Sequence, residues 1–194
     1  MTGEMPAEHA ILGLLALHAD QAPGYGYDLA RSFGEGQPLA EILRLEPGML
    51  YHHLKKLERA GWVEAEVETQ ASRPARRTYR LAAAGRAELR RWLGEPVART
   101  REIRLEFLVK LHFARRLDPA RAARLVAEQR DMCRRLYDSL TGQLAQAERA
   151  AAAAGDDVRF GAAVLRLRAL QTRAAIDWLD SLQSDDASPE APTR

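Results

Sequence analysis

The stretch Pro47–Val67, PGMLYHHLKKLERAGWVEAEV, changes its hydrophobic period part-way along. Pro47 suits a first helical position, and Glu46 before it stands at the N-cap, where a carboxylate favours the positive end of a helix. On a 3.6-residue period Leu50, Leu54 and Leu57 fall on one side, Met49, His52, Lys56 and Arg59 on the other, and His53 and Lys55 flank the polar face. Gly61 ends the helix. From Trp62 the period is two, with Val63, Ala65 and Val67 pointing one way and Glu64, Glu66 and Glu68 the other. A turn over TQASRPA (69–75) then returns the chain as RRTYRL (76–81), with Tyr79 and Leu81 inward and Arg76, Thr78 and Arg80 outward. Cross-strand Glu–Arg pairs would support that register by roughly 0.2–1 kcal/mol each.

Upstream lie two further helices. Pro6 opens the first, whose stripe is Ala10, Ile11, Leu14, Leu15 and Leu17. A glycine-marked turn in APGYGYDLARSF (22–33) leads to a short second one, expected to carry Tyr27, Ala30 and Phe33 inward. GEGQPLAEILRL (34–45) reads as a loop closing on a short apolar segment. Three helices followed by a hairpin make a winged helix-turn-helix.

Downstream, a fourth helix over about 83–93 carries Leu89, Trp92 and Leu93, and GEPVART (94–100) breaks it. Helices follow over about 100–116, from Pro119 towards Gly155, and from Asp156 to about Leu182. In the longest, Leu125, Gln129, Met132, Leu136, Leu140, Leu144, Ala147 and Ala151 recur at steps of three and four, with one polar break at Gln129. At ~1.5 Å per residue such a helix reaches roughly 50 Å, and its apolar face calls for a second chain. The expected class is therefore mostly α: a winged helix-turn-helix over residues 1–93, a long-helix dimerisation domain over 94–182, and a polar, proline-bearing disordered tail over 183–194.

Composition excludes several alternatives. With 46% hydrophobic and 29% charged residues the chain reads as soluble and globular. Its longest apolar run, AILGLLAL (10–17), is well short of the roughly 20 residues that span a bilayer, so the expectation is a cytoplasmic, unprocessed chain without a membrane partner. Cys133 is the one cysteine, which rules out an internal disulfide and a cysteine-based zinc site. His52 and His53 point about 100° apart on a helix and cannot chelate one ion as an i, i+4 pair could. With no G-x-S-x-G and no glycine-rich phosphate loop, neither catalytic residues nor a metal or cofactor are expected.

A net charge of +2 is too small to imply a nucleic-acid partner, but its distribution is informative. Residues 73–91 hold seven arginines against one glutamate, directly after the strand bearing Glu64, Glu66 and Glu68. A cationic third helix occupies the position of a recognition helix, and Arg73, Arg76 and Arg77 place charge where a wing meets phosphates. The expected DNA-contacting set is Met49, His52, His53 and Lys56 nearest base edges, with Lys55, Arg59 and the three wing arginines on phosphates. Tyr51 joins it either through its hydroxyl or as packing only. Trp92, Phe107, His112, Tyr137 and Trp178 form an aromatic set that either lines a site for a planar effector or packs the core. A winged helix that binds protein rather than DNA, as an adaptor, is the alternative function.

ILGLLAL (11–17), GYDLAR (26–31), PGMLYHHLKKLERAGWVEAE (47–66), RRTYRLAAAGRAEL (76–89) and REIRLEFLVKLHFARRLDPARAARLVAEQ (101–129) resemble, in this order, the PadR-type transcriptional regulators, of the larger type whose C-terminal domain is related to the virulence-activator alpha type. The resemblance covers about residues 9–150. It implies a homodimer, usually a repressor, that responds to a small ligand, and a dimer would read an inverted-repeat operator with half-sites about one helical turn apart. Gly26 and Tyr27 match the helix-two motif, Tyr51 the recognition-helix tyrosine, and Tyr79 and Gly85 the wing and the turn after it. The chain departs from the pattern at Glu46, Met49 and Ala82, where serine, threonine and threonine are common, so no base preference carries over.

Overall fold

The structure is a computed structural model and describes residues 6–18, 24–70, 73–151 and 156–187. Two compact units are present. Residues up to Glu95 together with Arg104–Ala122 form the first, and Pro96–Ile103 together with the chain from Ala123 onward form the second.

In the first unit α1 (Pro6–Leu17) is the central helix, buried at every position from Ala7 to Leu15. A helix apolar nearly all round must be wrapped on all sides, and α1 is contacted by α3 (Pro47–Arg59), α4 (Ala83–Leu93), α6 (Leu108–Leu117) and the sheet. Its two polar exceptions are paired: Glu8 with Lys56 and His53 of α3, and His9 with Glu88 of α4. The sheet has three antiparallel strands in the order β1-β3-β2, from β1 (Gly24–Tyr25), β2 (Val63–Gln70) and β3 (Arg73–Leu81). The two-residue β1, expected only as a turn, pairs Gly24 with Tyr79 and Tyr25 with Thr78 and runs straight into α2 (Gly26–Arg31). The hairpin strands extend into the expected turn over 69–75, and residues 71 and 72 lie outside the described residues. Register is as the alternation implies, with Glu64 opposite Arg80 and Glu68 opposite Arg76. Thr78, expected outward, is buried, because β1 covers the edge of β3 there and the Thr78 hydroxyl turns to the Glu66 carbonyl.

The compact units take up segments out of chain order. After α5 (Thr100–Glu102) and a π-helical turn at Ile103–Phe107, α6 returns to pack on α1 and α4. Phe107 and Phe113 are fully buried, and a Cβ on Gly13 would come within 2.6 Å of the Phe113 ring, so the glycine makes the room. Lys110 is buried as well. Its ammonium donates to the Glu95 carbonyl at 2.6 Å, pairs with Glu106 at 3.1 Å and lies over the Trp92 ring. Burial pushes its pKa down against the opposing pull of Glu106.

In the second unit α7 (Pro119–Ala151) and α8 (Asp156–Ala187) run antiparallel, since Arg134 pairs with Asp180 and Arg166 with Glu148. The polar break at Gln129 has a use: its amide accepts from the Val97 N–H at 2.6 Å and donates to the Val97 carbonyl at 2.9 Å, pinning the segment before α5 to α7. Leu125, Gln129 and Leu140 of the expected stripe are buried within the unit itself. The uncovered apolar surface lies instead on α8, at Phe160, Val164, Leu167 and Leu170, with Phe160 72% exposed. α8 is helical through Ala187, into the segment expected to be a disordered tail. Residues 188–194 lie outside the described residues. No helix among the described residues is long and apolar enough to cross a membrane.

Candidate nucleic-acid interface

The turns after α2 bury Leu39 and Ala40 and deliver the chain to α3, which starts on Pro47 and is halted by Gly61 at φ +70°, a conformation that favours glycine. Glu46 holds the N-cap backbone position, although its side chain makes no capping hydrogen bond. Leu50, Leu54 and Leu57 are fully buried. On the outer arc Met49, Tyr51, His52, Lys55, Lys56 and Arg59 are exposed. Met49, His52, Lys56 and Arg59 were expected on this side with Lys55 flanking it, and Tyr51 joins them.

His53 does not join them. It is 4% exposed, with its Nδ1 3.3 Å from the Glu8 carboxylate on α1. Residues 50, 53, 54 and 57 follow the i, i+3, i+4, i+7 spacing of a helix's inner stripe, so His53 shares the leucine side, where its Nδ1 meets a carboxylate and its Nε2 has no hydrogen-bond partner. It is removed from the base-contacting set. The same Glu8 oxygen accepts from the Lys56 ammonium at 2.6 Å, so Lys56 keeps an exposed stem with its head anchored to α1.

Beside the helix a cleft of about 390 Å³ is lined by Tyr25, Tyr27, Tyr51, Asp28, Arg76 and Arg77, among others. Tyr27, expected inward, is 71% exposed, since Gly26, Leu29 and Phe33 take the inner positions. Tyr51 is half-exposed and lies against Gly26, where a Cβ would come within 2.8 Å of its ring. It is therefore a cleft wall and not core. Arg76 lies over the Tyr25 ring at 5.9 Å, and the Tyr25 hydroxyl donates to Glu68 at 3.2 Å. Arg77 lies 5.8 Å from the centre of the Tyr79 ring and donates to both oxygens of Glu58, at 2.7 and 2.8 Å. Burial raises the Tyr79 hydroxyl pKa, and the Arg77 guanidinium partly offsets it. Arg73 stands at the far end of β3, opposite Gln70. The exposed face, the cleft, Arg76 and Arg77 thus adjoin one another within the first unit. The sequence reading missed Tyr25, Tyr27, Glu8 and Glu58, which contribute to this surface only through contacts between distant segments.

The expected aromatic ligand set is not brought together in the same way. Trp92, Phe107 and His112 belong to the first unit, Tyr137 and Trp178 to the second. Trp92 stacks on His9 at 4.3 Å and donates to Glu106, and with Phe107 it is core. His112 packs edge-on to Phe113, and burial, aided by Arg116, pushes its pKa down to about 4. A cleft of about 530 Å³ in the second unit, with Arg99, Arg101, Arg168, Leu136 and Thr172 on its walls, is lined by none of the five.

Two family models match in succession. Residues 14–91 match the transcriptional regulator PadR-like family, and residues 103–184 match the virulence activator alpha C-terminal model. Over residues 14–91 the chain is PadR-like. Members of the PadR-like family are transcriptional regulators and not enzymes. Among PadR-like relatives, the probable transcriptional regulator Rv1176c of Mycobacterium tuberculosis is 35% identical over 97 residues, which is 50% of this chain and 48% of that protein, so the match spans about half the relative's length. The negative transcriptional regulator PadR of Bacillus subtilis is 27% identical over 182 residues, covering 90% of this chain and 94% of that one. The crystal structure of Bacillus subtilis PadR in complex with operator DNA aligns at 25% identity and a TM-score of 0.43, over 91% of this chain and 96% of that chain.

Proposed function

We propose that this regulator is a cytoplasmic homodimer that binds an inverted repeat in duplex DNA, represses the adjacent genes and is released by a small-molecule effector. The observation that carries the DNA-binding part is the outer arc of α3, where Met49, Tyr51, His52, Lys55, Lys56 and Arg59 are exposed together beside Arg76 and Arg77. Met49 and His52 have the chemistry for base edges, a thymine methyl and guanine acceptors respectively, while Lys55, Arg59, Arg73 and Arg76 suit phosphates. Repression is in keeping with the negative regulator to which nine-tenths of the chain aligns. Pairing of two copies is supported by the apolar row on α8, since a soluble helix does not leave Phe160, Val164, Leu167 and Leu170 uncovered without a partner. Two copies would place their α3 helices in half-sites about one helical turn apart. The effector is expected to be small enough for a cleft such as that of the second unit.

The deciding experiment is fluorescence anisotropy with a labelled duplex from the region upstream of the protein's own gene. Log affinity should fall linearly with log salt, with a slope of about −0.9 for each phosphate neutralised. Binding that ignores salt, or no binding in dilute buffer, refutes the proposal.

A further inference from the structure

We infer that the Glu58–Arg77 pair is a brace that sets the angle of the wing against the recognition helix, and that Arg77 serves DNA binding by positioning the hairpin and not by contacting phosphate. The inference rests on the DNA-binding reading above and changes the role of one residue in it. Along β2 the positions facing the helices are Val63, Ala65 and Val67, opposite Leu81, Tyr79 and Arg77 of β3. Their burial runs out in that order: Val63 and its partner Leu81 are buried, Ala65 is half-buried beside buried Tyr79, and Val67 is 65% exposed. Apolar packing therefore stops fixing this face of the hairpin at the Val67–Arg77 pair. At that same pair the Arg77 guanidinium crosses to the last turn of α3 and donates to both Glu58 oxygens, with its central carbon over the Tyr79 ring. Both bonds come from one nitrogen, Nη2, so the carboxylate is held at its two oxygens, which fixes the distance from this point of β3 to the last turn of α3. The opposite face is held separately, by the Tyr25 hydroxyl on Glu68.

Both partners are part-exposed, and exposed ion pairs add little to folding stability, so the pair can be rearranged in a folded protein. What it contributes is geometry: helix and wing must meet one duplex at the same time. Charge alone predicts the opposite behaviour at Glu58, because removing a carboxylate next to DNA should strengthen binding.

The test uses the full chain and the labelled upstream duplex, with Glu58→Arg, Arg77→Glu, the double exchange and Arg77→Lys. Far-UV circular dichroism melts confirm folding of each. Glu58→Arg adds positive charge and is nonetheless expected to bind roughly tenfold more weakly, as is Arg77→Glu. The double exchange restores the pair with no change in net charge and should return to within about threefold of wild type with the same salt slope. Arg77→Lys keeps the charge but shortens the reach of the nitrogen that meets Glu58, and should weaken binding with the slope unaltered. If wild type binds and Glu58→Arg binds as tightly or more tightly, or the double exchange is as weak as Arg77→Glu, the brace is overturned. A wild-type protein that binds no duplex overturns the DNA-binding reading itself, and the brace with it.

Discussion

His112 offers the sharpest check on the packing of the first unit. Its ring lies edge-on to Phe113 at 4.9 Å, and burial together with Arg116 lowers its pKa from 6.5 to about 4. Between those two values the unfolded chain carries a proton that the folded chain refuses. Stability therefore falls as pH falls from about 6.5 and stops falling, on account of this group, below about 4. At about pH 5 the unfolded imidazole is almost fully charged and the folded one almost fully neutral, which corresponds to at most about 2 kcal/mol lost relative to neutral pH. A His112→Gln variant has no proton to gain. Urea unfolding followed by circular dichroism at about pH 7 and about pH 5 should show the wild type losing about 2 kcal/mol more than the variant between the two conditions. Each protein serves as its own reference, so any constant effect of the substitution cancels. Parallel losses in the two proteins would refute the burial of a neutral ring at this position.

Other sites give equally direct outcomes. Gly26→Ala places a methyl on the Tyr51 ring, and since the ring is a half-exposed side-chain end it should swing aside, leaving the melting temperature nearly unchanged and lowering DNA affinity roughly three- to tenfold. Gln129→Leu strands the N–H and carbonyl of Val97, and should cost about 2–5 kcal/mol in urea unfolding with faster amide exchange at Val97. Leu167→Glu sets a charge in the uncovered row of α8 and should convert a dimer to monomer by sedimentation equilibrium at micromolar concentration, whereas an unchanged mass would exclude that row from the interface.

The helices and the wing were legible in the sequence because their signals are local. Pro6, Pro47 and Pro119 stand at helix starts, Gly61 at a stop, and the alternation from Val63 to Glu68 needs no knowledge of the rest of the fold. What was missed depends on partners far along the chain. His53 follows the leucine spacing yet was placed outward with its neighbour His52, because the carboxylate that makes its burial tolerable is Glu8, 45 residues earlier. β1 is two residues long, too short to show a period, and Thr78 and Tyr27 were misplaced in consequence. The five aromatics carry no local sign of which unit they join, and because α6 packs onto α1 they fall in two units. Glu58 and Glu8 carried no local mark at all, since a carboxylate on a helix becomes informative only when the cation opposite it is known.

The strand formed by Gly24 and Tyr25 ties helix two to the hairpin by backbone hydrogen bonds, with no residue between strand and helix. The wing is thus not a detachable module. Anyone grafting a relative's hairpin onto this scaffold to alter its target would have to transplant those two residues with it, or the loan would arrive with its hinge missing.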